Sequence, residues 1–249
     1  MSKAYLVGAG PGDPRLLTIA AVEVLQCADV ILCDRLVSKE IVAKANARAK
    51  IVYVGKGPGD QERVQTKIFE LFRRYAGRGL TLVRLKGGDP YVFGRGSEEH
   101  DYLTSLGYEV SIVPGITSAL GVPAMAGIPM TARGISASFA VITGHRCDDN
   151  IINWFSFVSI DTLVVLMGVS ERISIARHLI EAGRPASEPV AFIENGSCVN
   201  QRIVRSTLGD VSRGLVNVSS PAVFVIGKVS ALHDQLDQAS EPWLQELSA

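Results

Sequence analysis

Short apolar runs closed by glycine, each followed by a stretch with helical spacing, recur along this chain and constrain its fold more than any other feature. Tyr5 to Gly8 is closed by Gly8-Ala9-Gly10-Pro11-Gly12-Asp13-Pro14, after which Thr18 can cap a helix with apolar positions Ile19, Val22 and Leu25. Val30 to Cys33 follows and ends at Asp34; then come a helix near Ser38 to Asn46 and a strand Ile51 to Val54. Gln65 to Gly77 carries Ile68, Leu71, Phe72 and Tyr75 on one face, and the strand Leu80 to Leu85 runs into Gly87-Gly88-Asp89-Pro90. Such alternation predicts an α/β fold with a mostly parallel sheet, whose ligands gather at the carboxyl ends of the strands. Both glycine loops sit at such ends.

After Glu109 to Val113 the texture changes to a stretch punctuated by Pro114, Gly115, Gly121, Pro123, Gly127 and Pro129, which predicts a boundary between two domains, 1–113 and 114–249. The second half offers strands at Phe139 to Thr143, Thr162 to Met167, Pro189 to Glu194, Arg202 to Thr207 and Ala222 to Ile226, with a helix over Ile173 to Ala182. Little helix separates the strands from Arg202 onward, so this half reads as a mixed sheet, with a surface helix or frayed tail after Gln238. Val110 to Ala132 carries no charge, but its prolines and glycines argue against a membrane span.

With 47% hydrophobic residues in 249, the chain can bury a substantial core and is not a disordered segment. Its 25 basic and 25 acidic residues give no net field of the kind a general nucleic-acid binder uses, so an anionic partner must be met by local clusters. The cysteines at 27, 33, 147 and 198 show no Cys-x-x-Cys spacing and read as reduced, buried thiols of a cytoplasmic protein. Few apolar residues precede Gly8, which does not suit a secretory leader. The four histidines lack metal-ligand spacing, and Ser97 and Ser118 lack a His/Asp constellation, so neither a metal site nor a hydrolase is expected.

Two constellations carry chemistry. Gly8-x-Gly10-x-x-Asp13, with Asp34 at the end of the second strand, resembles a dinucleotide fingerprint whose third glycine has become Asp; Asp13-Pro14 should instead hold a turn before the helix. The string Lys86-Gly87-Gly88-Asp89-Pro90-Tyr91-Val92-Phe93-Gly94-Arg95-Gly96-Ser97-Glu98-Glu99 lets backbone approach a ligand at Gly87 and Gly88, adds an acceptor at Asp89, and presents Arg95 ahead of a helix opened by Ser97-Glu98-Glu99.

At this string the sequence resembles the uroporphyrinogen III C-methyltransferases within the wider tetrapyrrole methylases. The resemblance continues through Ala28 to Val37, Val54-Gly55-Lys56, Val113 to Ala119, Gly127-Ile128-Pro129, Thr143-Gly144-His145, Leu166-Met167-Gly168, Glu194-Asn195-Gly196, Asn200-Gln201-Arg202 and Ser220-Pro221-Ala222. It implies two α/β domains with S-adenosylmethionine in the cleft between them, a homodimer, and a small-molecule tetrapyrrole as substrate, with no nucleic-acid or membrane partner. Cofactor contacts would fall on Pro11, Gly87, Gly88, Asp89, Val92, Thr117, Ser118, Met167 and Gly196, and acid/base roles on Asp34 and Lys56. The chain departs from the family where Gly57-Pro58-Gly59-Asp60-Gln61 stands in place of a histidine-bearing segment and where Thr131-Ala132-Arg133 replaces Thr-His-Arg.

The reaction so implied needs alignment of a sulfonium methyl with a pyrrole carbon, exclusion of water, and removal of a proton after methylation, the role assigned to Asp34. Lys56 could steer a carboxylate. Arg35, Arg84, Arg95, Arg133 and Arg146 are the further candidates to meet the carboxylates of the tetrapyrrole. The expected activity is methylation of uroporphyrinogen III at C2 and C7 to precorrin-2, for sirohaem or cobalamin synthesis, with S-adenosylhomocysteine released. A methylase acting later on the corrin path, a cofactor-retaining binding protein and a nucleotide dehydrogenase remain the alternatives.

Overall fold

The computed structural model describes residues 2–55, 61–144 and 152–232. Lys56, residues 57–60, Arg146, His145, Cys147 and the tail after Gln238 lie outside the described residues. The chain divides into two units, Met1–Thr117 and Ser118–Ala249.

The first unit is a wholly parallel sheet of β1 (Lys3–Gly8), β2 (Val30–Asp34), β3 (Lys50–Val54), β4 (Leu82–Lys86) and β5 (Glu109–Val113), in the order β3-β2-β4-β1-β5. Parallel neighbours need crossovers, and these are α1 (Ile19–Gln26), α2 (Lys39–Val42), α3 (Gln61–Tyr75) and α4 (Gly96–Ser105). Strand side chains alternate between two cores. Leu6, Val30, Leu32 and Leu82 pack with Ile68, Phe72 and Leu103 of α3 and α4; Val7, Ile31, Cys33, Val83 and Leu85 pack with Ala21, Leu25 and Ile41 of α1 and α2. Thr18 caps α1 as expected, its hydroxyl accepting from the Ala21 amide at 3.1 Å. The buried face of α1 is Ala21 and Leu25, however, and Ile19 is 79% exposed.

The second unit is the mixed sheet expected, in the order β6-β7-β10-β8-β9. Its strands are β6 (Phe139–Thr143), β7 (Thr162–Leu166), β8 (Pro189–Glu194), β9 (Arg202–Thr207) and β10 (Ala222–Ile226). β6 and β7 are parallel, while β10 runs antiparallel to β7 and β8. The ends of β6, β7 and β8 therefore share one edge. Helices α6 (Arg172–Glu181) and α7 (Leu208–Ser212) supply Ile175, Leu179 and Val211 to one face, and α5 (Ser118–Met125) supplies Ala119 and Val122 to the other. Among the described residues no helix is long and apolar enough to cross a membrane. Cys33 is buried, but Cys27 and Cys198 are exposed, against the expectation of uniformly buried thiols.

Candidate active site

In a wholly parallel sheet all carboxyl ends point one way, so the loops after β1, β2, β4 and β5 gather at one edge of the first unit. Backbone joins three of them. The Ala9 amide donates to Lys86 O at 2.7 Å, and Gly10 and Gly88 exchange amide bonds of 3.1 and 2.8 Å. A Cβ on Gly8 would lie 2.5 Å from Gly115 Cα, and one on Gly115 would lie 2.3 Å from Gly88 O, so the loops meet at distances only glycine permits. Asp89 fastens them: its Oδ1 accepts from the Tyr91 amide at 2.8 Å and its Oδ2 from the Gly115 amide at 3.1 Å. A carboxylate has about four acceptor sites, so Asp89 keeps capacity for a ligand. Gly87 is exposed, and a Cβ there would meet nothing within 4 Å.

The loop after β1 does not build a dinucleotide site. Asp13 accepts from the Arg15 amide at 2.8 Å and caps a single turn, Pro14–Leu16, and α1 begins only at Ile19. No helix N-terminus opens on the glycines, which removes the structural basis of the dehydrogenase alternative. Arg15, as a hydrogen-bond donor, holds the Asp13 carboxyl below its usual range.

Asp34 stands at the end of β2. Even-numbered residues of β2 and of β4 face α4, and this parity brings Asp34, Arg84 and Lys86 to the same face. Arg84 was expected to meet substrate carboxylates; instead it is buried in mid-strand with its donors committed. Its Nη2 holds Asp34 Oδ1 at 2.5 Å, Nε donates to Glu99 Oε1 at 3.1 Å, and Nη1 donates to Leu32 O and Leu85 O. Lys86 Nζ reaches Glu99 Oε2 at 2.8 Å. Burial opposes the Arg84 charge, but Asp34 and Glu99 outweigh it and raise its pKa; burial, with Arg84 adjacent, lowers that of Lys86. Burial and the Asp34 charge push the neighbouring Cys33 thiol up to about 12.

Sequence reasoning missed the parts played by Lys86 and Glu99. The signal was two cations at i and i+2 in an otherwise apolar strand, which places both on one buried face and requires a buried anion. The expected opening of α4 by Ser97-Glu98-Glu99 is also corrected. Arg95, at φ 55°, occupies the cap position without a side-chain cap; its guanidinium pairs with Glu98 at 2.7 Å and Glu62 at 3.1 Å, while Glu99 turns inward. Arg35 remains exposed directly after Asp34, beside the exposed Leu36. Pro11 and Val92 are half-buried in the loops after β1 and β4, and Thr117 ends the loop after β5.

In the second unit Met167 follows β7 at φ 55° and is 45% exposed, so it is not the core residue its apolar strand suggests. Gly196 follows β8 on the same sheet edge, between Asn195 and Ser197, both at positive φ. A Cβ on Gly196 would lie 2.3 Å from Val122, so packing alone demands a glycine there. Ser118 opens α5, and Arg133 is exposed at the tip of a tight turn closed by paired Ala132 and Ser136 amides.

Residues 3–212 match the family of Tetrapyrrole (Corrin/Porphyrin) Methylases. A uroporphyrinogen-III C-methyltransferase of Bacillus subtilis is 44% identical over 254 residues, covering 100% of this chain and 99% of that protein. The structure of a uroporphyrin-III C-methyltransferase from Thermus thermophilus, complexed with S-adenosylhomocysteine, superposes with a TM-score of 0.81 at 41% identity over 92% of this chain and 93% of that one. A cobalt precorrin-4 methyltransferase gives 0.77 at 25% identity over 92% and 95%. From its glycine-locked loops to its full-length relatives, the chain belongs to the tetrapyrrole methylases.

Proposed function

We propose that this chain is the S-adenosylmethionine-dependent C-methyltransferase that methylates uroporphyrinogen III at C2 and C7, giving precorrin-2 for sirohaem or cobalamin synthesis. The carrying observation is the convergence, at one sheet edge, of the open Gly87-Gly88-Asp89 turn with Asp34 and the exposed Arg35. The residues present fit the donor: Gly87 leaves its backbone open, and Asp89 has acceptor capacity beyond the two amides it already serves. S-adenosylmethionine, when bound, supplies an electrophilic methyl on a sulfonium. Gly87, Gly88 and Asp89, with Pro11, Val92, Thr117, Ser118, Met167 and Gly196, are proposed to bind and orient it.

Asp34 takes the proton that the cationic macrocycle must lose after methylation, a proton that comes from a neighbouring position because the methylated carbon is itself quaternary. Arg84 holds one oxygen of that carboxylate, while the side chain stays 32% exposed and so accessible to substrate. Arg35 and Arg133 are the exposed cations proposed to meet substrate carboxylates; Arg95, paired with Glu62 and Glu98, would have to exchange partners to do so. Lys56 keeps the role the resemblance implies, as does a homodimer; Arg146 remains a candidate for a substrate carboxylate, and a cytoplasmic location is proposed from the cysteine usage.

Purified protein incubated with methyl-labelled donor and enzymatically generated uroporphyrinogen III is expected to give a doubly methylated product. Label uptake only with a precorrin would move the reading to a later corrin-path methylase, which the lower identity of the precorrin-4 enzyme disfavours. Donor binding without turnover on any tetrapyrrole would leave a binding protein.

A further inference from the structure

We propose that Glu99 is a positioning residue for methyl transfer: by binding Arg84 and Lys86 together inside the first unit, it fixes the guanidinium that holds Asp34. The inference rests on the role of Asp34 given above.

Glu99 is 0% exposed, and both its oxygens are occupied by cations from one face of β4. A guanidinium is planar, so fixing its Nε edge fixes the direction in which Nη2 points. The Glu99 bond is made at Nε, and the Asp34 bond is made at Nη2. Lys86, on the second Glu99 oxygen, keeps that carboxylate from turning away from Arg84. The chain Lys86–Glu99–Arg84–Asp34 thus runs from a buried helix face to a half-exposed carboxylate at a strand end. Stability alone does not account for it, because a buried ion network is often matched by apolar residues of similar volume. What apolar residues cannot supply is a fixed orientation for Asp34.

Removing Glu99 alone would strand Lys86 in the core, so the test uses the double variant E99L/K86M, which replaces the pair by apolar side chains of similar size. The thermal midpoint should fall, because Arg84 stays buried and charged while its Nε loses its partner, but the calorimetric affinity for S-adenosylmethionine should change less than about twofold. The kcat for methyl transfer should fall at least about tenfold with Asp34 present, yet less than about twofold in a D34N background, since both changes act through one group. Equal factors in the two backgrounds, or a retained kcat, overturn the proposal. A crystal structure of E99L/K86M decides it without any assay: Arg84 is expected out of hydrogen-bond reach of Asp34, and a contact kept at the original distance refutes it. If the parent transfers no methyl to uroporphyrinogen III, the functional reading fails by itself and the crystallographic result still judges the positioning role.

Discussion

Replacing Gly115 with alanine tests whether the loops of the first unit are held by backbone contact. The new Cβ would lie 2.3 Å from Gly88 O and 2.7 Å from Gly8 Cα, both backbone atoms that no rotamer change can move. Restoring an ordinary contact of about 3.4 Å needs a displacement of about 1.1 Å, and overpacking of this kind costs about 1–3 kcal/mol. The same displacement stretches the 3.1 Å bond from the Gly115 amide to Asp89, and a hydrogen bond to a charged group contributes about 1.5–3 kcal/mol. The expected loss is therefore about 2.5–6 kcal/mol, read as a lower midpoint in urea with unchanged slope. Gly87→Ala is the matched control: its Cβ meets nothing within 4 Å, so stability should hold within about 0.5 kcal/mol while donor affinity falls. A Gly115 variant as stable as the parent, or a Gly87 variant equally damaged, would refute the reasoning.

Gly196→Ala should destabilise by about 1–3 kcal/mol, and adding Val122→Ala should recover part of that, because the clash is with the Val122 side chain at 2.3 Å; chemical denaturation of the single and double variants reads both. Cys33, buried with its thiol pushed up to about 12, should resist iodoacetamide at pH 8 in the folded protein and react in urea, whereas Cys27 and Cys198 should react in both, as peptide mass mapping would show. Arg202, through its hydrogen bonds, lowers the folded pKa of Glu194 below its ordinary 4.5. The unfolded chain then binds more protons between the two values, so this contribution is present above the unfolded pKa and lost as pH falls through the folded one. Glu194→Gln should flatten the acid limb of a stability-against-pH curve below pH 4.5; an unchanged limb would remove the ion pair from the account.

Much of the fold was legible because the period of the apolar pattern is a local property. The runs at Glu109–Val113, Phe139–Thr143, Pro189–Glu194, Arg202–Thr207 and Ala222–Ile226 are strands at the expected bounds. What failed was whatever depends on a distant partner. Ile19 fits a helical stripe, yet α1 is seated through the small Ala21 with Leu25, and alanine is a weak marker of a buried face. Arg84 looked like a surface cation near a strand end. Its place was fixed by Glu99, fifteen positions on and reached only through the crossover to α4. Met167 could be singled out only through the family resemblance, because its exposure follows from a left-handed backbone that hydropathy does not encode.

That left-handed residue belongs to a pattern. In each unit a glycine pair lets the ends of parallel strands close up: Gly8 with Gly115 in the first, Gly144 with Gly168 in the second, where a Cβ on Gly144 would lie 2.4 Å from Gly168 Cα. All the described non-glycine residues of positive φ follow strand carboxyl ends: Phe93 and Arg95 after β4, Met167 after β7, and Asn195 and Ser197 after β8. Each such conformation costs on the order of 1 kcal/mol or more and persists only where its surroundings over-determine it. Turns needed merely to connect strands to helices could be built without that cost, as the relaxed caps at Thr18, Ser38 and Thr207 show. Strain confined to strand carboxyl ends, in loops locked by backbone contact, is therefore better explained by side chains held ready for a ligand than by the demands of folding.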